Sequence, residues 1–150
     1  MNKIIFSYKD YGAELKELIK KIEKEPSTKY IDCIYGIPRG GLPIAVHLSH
    51  ALNKPLGYSD FNFFTTNYNI ILLVDDISDT GESLIKCINS ATKLNDHLTI
   101  ITATLHIKTG TKVIPDYFIT EFKPTDWIVY PWERIDEETI ADYMKPVVQK

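Results

Sequence analysis

The run at residues 69–74, NIILLV, stops abruptly at Asp75-Asp76, and this junction constrains the fold more than any other feature of the chain. Successive residues of a strand point to opposite faces, so an unbroken apolar run implies cover on both sides. That is the signature of a buried parallel strand. Beyond it come Ile77, Ser78, Asp79, Thr80, Gly81, Glu82 and Ser83, then helical spacing of Leu84, Ile85, Ile88 and Ala91 over 81–94. Three carboxylates thus stand at the mouth of a glycine-containing turn between a strand and a helix.

The remaining pattern alternates in the same way. Leu15, Leu18, Ile19 and Ile22 predict a helix over 11–23. Residues 30–35 read as a short buried strand ending at Gly36, and 42–52 return to helical spacing. Residues 98–105 predict a third strand and 116–120 a fourth, with Asp136 as the N-cap of a last helix through Met144. Alternating strands and helices indicate an α/β fold, a central mostly parallel sheet flanked by helices. Ligands in such sheets bind beyond the carboxyl ends of the strands. Gly36, Gly40, Gly41, Gly81 and Gly110 all fall just after a predicted strand, where glycine permits close backbone approach or positive φ.

A length of 150 residues fits one domain, taken as 1–150, with a sizeable core, and 44% hydrophobic with 25% charged residues fits a soluble globule. The formal net charge of -3 argues against nucleic acid or an anionic membrane as partner. No apolar run approaches the roughly 20 residues of a bilayer span, and the amino-terminal MNKIIFSYKD is too weakly apolar for a signal peptide. Cys33 and Cys87 read as reduced thiols. A cytoplasmic protein is the expectation.

Two loops carry the chemistry. In Asp79-Thr80-Gly81-Glu82-Ser83 a turn enters a helix N-terminus, where unpaired N–H groups and the positive dipole end favour an anion. With the hydroxyls of Thr80 and Ser83 this forms a phosphate cradle that needs no lysine. A simple N-cap would account for Asp79 but not for Asp75 and Asp76, whose carboxylates at the end of a buried strand need hydroxyls, cations or a metal to face. The second loop, Gly36-Ile37-Pro38-Arg39-Gly40-Gly41, holds one of only two arginines, the other being Arg134. A guanidinium can grip a diphosphate in bidentate fashion, and glycine N–H groups can join it. A turn with a solvent-facing arginine is the plainer alternative. A phosphate, a sugar diol and a diphosphate around one sugar describe phosphoribosyl pyrophosphate (PRPP), with Mg²⁺ bound through few protein oxygens and the substrate's phosphates.

LVDDISDTGESL resembles the PRPP motif of the type I phosphoribosyltransferases, and GIPRGG resembles their pyrophosphate loop. The segments Leu105–Gly110 (LHIKTG), Asp116-Tyr117 and WIVYPWE from Trp127 to Glu133 are similar to the bacterial xanthine-guanine phosphoribosyltransferases, with small gaps near Lys112 and Phe122. The resemblance implies a small C-terminal hood and a homo-oligomer, dimer or tetramer. Members of that family usually carry a long flexible loop ahead of the PRPP motif that closes over the site, and this chain departs from them in having only residues 58–69 there, a shortened flexible loop. It implies pyrophosphate binding by Pro38, Arg39, Gly40 and Gly41, and ribose and metal contacts by Asp75 and Asp76. The 5-phosphate falls to Asp79, Thr80, Gly81, Glu82 and Ser83. Base binding falls to Lys108 on the 6-oxo group, Trp127 by stacking, and the backbone of Ile128 and near Glu133 at the 2-position. Asp79 is the implied catalytic residue, managing the purine proton. Lysine donates without accepting, which suits a 6-oxopurine better than adenine. A tryptophan face suits a flat base, although core packing and a solvated lysine explain either residue equally simply. Residues 58–69 are expected to be part strand, with Phe61, Phe63, Phe64 and Tyr68 covering the site or a partner subunit. The expected activity is purine salvage by transfer of a 5-phosphoribosyl group to N9 of guanine, xanthine or hypoxanthine. A phosphoribosyltransferase for another base, and a non-catalytic binder of PRPP or nucleotide that regulates a partner, are the alternatives.

Overall fold

The computed structural model describes residues 2–133, which group into two compact units. One holds the chain up to Glu14 and from Thr125 onward; the other runs from Leu15 to Pro124. The expected helix from Asp136 lies outside the described residues.

In the first unit, strand β1 (Asn2–Ile5) pairs in parallel with β9 (Asp126–Val129), with Lys3 opposite Trp127 and Ile4 opposite Ile128. Phe6, Tyr130, Trp132 and Tyr11 form its aromatic packing. Tyr130 and Trp132 stack at 5.0 Å, and Tyr11 meets Trp132 edge-on at 5.2 Å. Helix α1 (Tyr8–Lys24) begins within this unit, its first turn capped by Ser7 and Asp10.

The second unit is built on β2 (Cys33–Gly36), β3 (Leu56–Gly57), β4 (Ile70–Val74) and β6 (Thr99–Ala103), arranged β3-β2-β4-β6 with every pairing parallel. Strand β4 is buried from Ile71 to Val74, as its unbroken apolar run requires. Cys33, Tyr35, Ile71 and Leu73 share one face with Ile37 and Leu84, covered by α3 (Phe61–Asn67) and α4 (Glu82–Leu94). Ile34, Gly36 and Leu72 turn to the other face, where α2 (Gly41–Leu52) lies so close that a Cβ on Gly36 would sit 2.7 Å from that of Ala45. Neither cysteine is in a disulfide. A second parallel set of three short strands, β5 (Ile77–Ser78), β7 (His106–Lys108) and β8 (Thr120–Phe122), continues beyond the carboxyl end of the main sheet.

The structure corrects two local expectations. The fourth strand falls at Thr120–Phe122, overlapping the expected 116–120 only at Thr120, and ahead of it Tyr117 alone bridges, to Ala103. The reason is Asp116, whose carboxylate accepts from both the N–H and the hydroxyl of Thr102 and so spends those residues on a side-chain tie. Residues 58–69 hold helix α3 where part strand was expected. Phe61, Phe64 and Tyr68 recur at helical spacing and pack on the core, Tyr35 meeting Phe61 at 4.8 Å and Phe64 at 5.9 Å. Phe63 stays about half exposed. Replacing Phe64 with Ala should therefore cost roughly 2–4 kcal/mol by denaturant unfolding, and Phe63→Ala less than about 1. Equal costs would remove α3 from the core.

Candidate functional site

The strand order places two loops face to face. From β2 the chain passes through α2 to β3 on one side; from β4 it passes through α4 to β6 on the other. The point between β2 and β4 is thus where the winding reverses, and the loops leaving both strands open there. Gly36 lies opposite Val74 in the β2–β4 register, and the Ile37 N–H donates to the Val74 carbonyl at 2.9 Å.

The first loop, 37–40, leads straight into α2. Pro38 and Arg39 are exposed, and the peptide bond between them is cis. Gly40 and Gly41 press against the other loop: a Cβ on Gly40 would overlap the Asp76 carboxylate, and one on Gly41 would overlap the Val74 carbonyl. Only glycine allows this approach.

In the second loop Asp75 is 8% exposed and Asp76 half-buried. The Asp76 N–H donates to Asp75 Oδ1 at 2.9 Å, and the Ile77 N–H donates to Asp76 Oδ1 at 2.8 Å. Burial, reinforced by the neighbouring Asp76 carboxylate, pushes the Asp75 carboxyl up to about 8. Burial also raises Asp76, against the opposing pull of its hydrogen bonds and of His106. His106 is fully buried, and its backbone N–H donates to the Asp76 carbonyl at 3.1 Å. Its place beneath the acids had no signal in the sequence.

Gly81 has φ of 89°, a left-handed conformation that ends the loop and starts α4. Thr80 Oγ1 accepts from the Glu82 N–H at 3.3 Å. Asp79, Thr80, Glu82 and Ser83 are exposed, and together with Pro38, Asp75 and Asp76 the loop lines a cavity of about 250 Å³. The structure also brings Lys108 to this loop: Lys108 Nζ lies 3.3 Å from Asp79 Oδ2, with the lysine side chain 14% exposed. The other expected base-binding residues belong to the first unit. There Trp127 is 53% exposed, Ile128 is buried, and the exposed Glu133 accepts from the Tyr130 N–H at 3.3 Å.

Among the described residues no group of three or more His, Cys, Asp or Glu forms a metal cage. The acid pair offers two carboxylates whose ionisation burial resists. Such a donor set fits a hard divalent cation that takes its remaining oxygens from a ligand. No helix among the described residues is long and apolar enough to cross a membrane.

No protein-family model matches the chain. A purine phosphoribosyltransferase structure from Pyrococcus horikoshii Ot3 superposes with a TM-score of 0.73 at 30% identity, covering 91% of this chain and 97% of that one. The chain belongs to the type I phosphoribosyltransferases. A Helicobacter pylori xanthine-guanine-hypoxanthine phosphoribosyltransferase shares the fold at a TM-score of 0.75 and 22% identity, over 95% of this chain and 100% of that one. The orotate phosphoribosyltransferase of Saccharolobus solfataricus is 30% identical over 109 residues, 63% of this chain and 54% of its own length. The chain spans about half the length of the curated relatives it matches.

The buried acid pair should make the stability of this chain pH-dependent. A folded-state carboxyl raised above its unfolded value of 3.8 stabilises the native state at low pH, and that contribution is lost as pH rises through about 8. Asp75→Asn should therefore raise Tm at pH 8 in ligand-free protein by about 3 °C or more, roughly 1 kcal/mol at this size. The gain should shrink toward pH 5. Thermal melts of both proteins at the two pH values check this, and an identical pH dependence would contradict the assignment.

Proposed function

We propose that the chain transfers the 5-phosphoribosyl group of PRPP to N9 of a 6-oxopurine, releasing pyrophosphate and a nucleoside monophosphate, as in purine salvage. The observation that carries this reading is the placement of Lys108 against Asp79 beside the acidic loop, opposite the arginine loop. The C1–oxygen bond to pyrophosphate breaks, its electron pair leaving with pyrophosphate, while N9 forms the new bond and the purine loses a proton. Arg39 and the Gly40 N–H hold the departing diphosphate, while the Gly41 N–H, donated to the Ile37 carbonyl at 2.9 Å, shapes the loop around it. Asp75 and Asp76 hold the ribose hydroxyls, and they would anchor Mg²⁺, which supplies charge neutralisation at the diphosphate. The cradle from Asp79 to Ser83 holds the 5-phosphate. Asp79 takes the purine proton, and Lys108 donates to the 6-oxo group.

Roles for Trp127, Ile128 and Glu133 at the base follow from the resemblance; the half-exposed ring of Trp127 supports stacking. A cytoplasmic homo-oligomer with neither nucleic acid nor membrane as partner completes the proposal. Catalysis on these terms is positioning and electrostatics.

The orotate relatives favour a second reading, transfer to a pyrimidine carrying ring oxo groups, which a lysine donor also suits. Spectroscopic assays with Mg²⁺, PRPP and guanine, hypoxanthine, xanthine, adenine, uracil or orotate separate the two. Nucleotide formed from a 6-oxopurine supports the proposal; turnover of orotate alone transfers it to the second reading. Thermal stabilisation by PRPP without turnover of any base transfers the reading to a non-catalytic PRPP binder. Asp79→Asn should lose about 10²-fold or more in turnover while still binding nucleotide in a titration. Undiminished turnover would take the proton from Asp79.

A further inference from the structure

The phosphate cradle contains no cation of its own and two carboxylates, Asp79 and Glu82. Glu82 stands in the first turn of α4, where the helix dipole already favours an anion, so its charge competes with an incoming phosphate for the same site. The segment after β7 answers this. Ser78 Oγ lies 2.9 Å from Thr111 Oγ1 and donates to the Val113 carbonyl at 2.7 Å. The Lys112 N–H donates to the Thr80 carbonyl at 3.0 Å. A Cβ on Gly81 would come within 2.9 Å of the Val113 nitrogen, so the segment lies directly on the cradle loop. This backbone seat puts Lys112 at the rim, with Nζ 2.9 Å from Glu82 Oε1.

We infer that Lys112 is a phosphate-binding residue of this site, held by Glu82 until a ribose 5-phosphate group enters the cradle and draws its ammonium away. The inference rests on the phosphoribosyl reading of the cavity. Both side chains are more than half exposed, at 66% and 53%. An exposed pair of this kind adds little to stability and exchanges partners at small cost. The lysine holds the Glu82 carboxyl below its ordinary range, and an exposed glutamate keeps its negative charge at neutral pH without that neighbour as well. A phosphate dianion outbids one carboxylate for the ammonium because it carries more charge and more acceptor oxygens.

The two partners then have opposite signs, which a structural salt bridge cannot give. Lys112→Met should weaken binding of ribose 5-phosphate and raise KM for PRPP by roughly fivefold or more, the scale of one charge pair near a protein surface. KM for the base should not follow. Glu82→Gln should tighten ribose 5-phosphate by about twofold or more, since it removes a repelling charge and frees the ammonium. Pyrophosphate alone, held by the Arg39 loop, should bind wild type and both variants alike. Calorimetric titration of each probe with Mg²⁺ into the three proteins reads these effects, with thermal melts showing that each is folded. Loss of affinity in both variants, or no change in either, overturns the inference while leaving the phosphoribosyl reading intact. A wild-type protein that binds neither PRPP nor ribose 5-phosphate overturns both.

Discussion

Everything about this site depends on the parallel pairing of β2 with β4. It fixes Gly36 opposite Val74, so the chain leaves both strands at one level and both following loops open at the reversal of winding. The loops then approach until no side chain fits between them. Gly41 lies on the Val74 carbonyl and Gly40 on the Asp76 carboxylate, so the arginine loop and the acidic loop form one structure. Hydrophobic burial on both faces of β4 is what holds this register, because a slip of one residue would carry Ile71 and Leu73 to the wrong side of the sheet.

That pairing also sets the electrostatic problem the site solves. Strand β4 runs buried up to Asp75, so the first acid begins life in the interior and accepts the Asp76 N–H, while the second accepts the Ile77 N–H close beside it. Stability alone would favour an amide or an apolar residue at Asp75. Retaining two acids whose ionisation is resisted makes sense where a cation and sugar hydroxyls complete the environment. On the proposed reading, the buried acid pair is an unfavourable interaction that a bound cation and sugar would relieve, as in a site preorganised for its ligand.

Long elements with a clean period were legible in the sequence: α1, α2, β4 and α4 stand where their patterns put them, within a few residues at the ends. The acidic and arginine loops were legible because glycine, proline and charge interrupt apolar runs there. Short elements were not. Strands β5 and β7 have two and three residues, too few to establish a period, and they pair with each other across 29 positions of sequence. FNFFTTN is poor in strong helix formers, so composition concealed α3; the spacing of Phe61, Phe64 and Tyr68 was the signal that could have found it. The ion pairs Lys108–Asp79 and Lys112–Glu82 join residues 29 and 30 positions apart in sequence, and only the fold brings them together.

Helix α3 bears on how the proposed reaction would exclude water. The resemblance places a long closing loop at this point in relatives, whereas here the short segment anchors Phe61, Phe64 and Tyr68 against Tyr35 and the core face of the sheet. Swinging it over the site would expose those rings, at a cost of several kcal/mol by the usual scale for apolar area. A lid that must open and close each turnover cannot carry that penalty and remain fast. Shielding of an oxocarbenium-like centre would fall instead to the walls already present: the Gly40–Asp76 contact on one side, and the cradle with its 111–113 buttress on the other. On the proposed reaction, this chain would rely on a cavity formed before the substrate arrives.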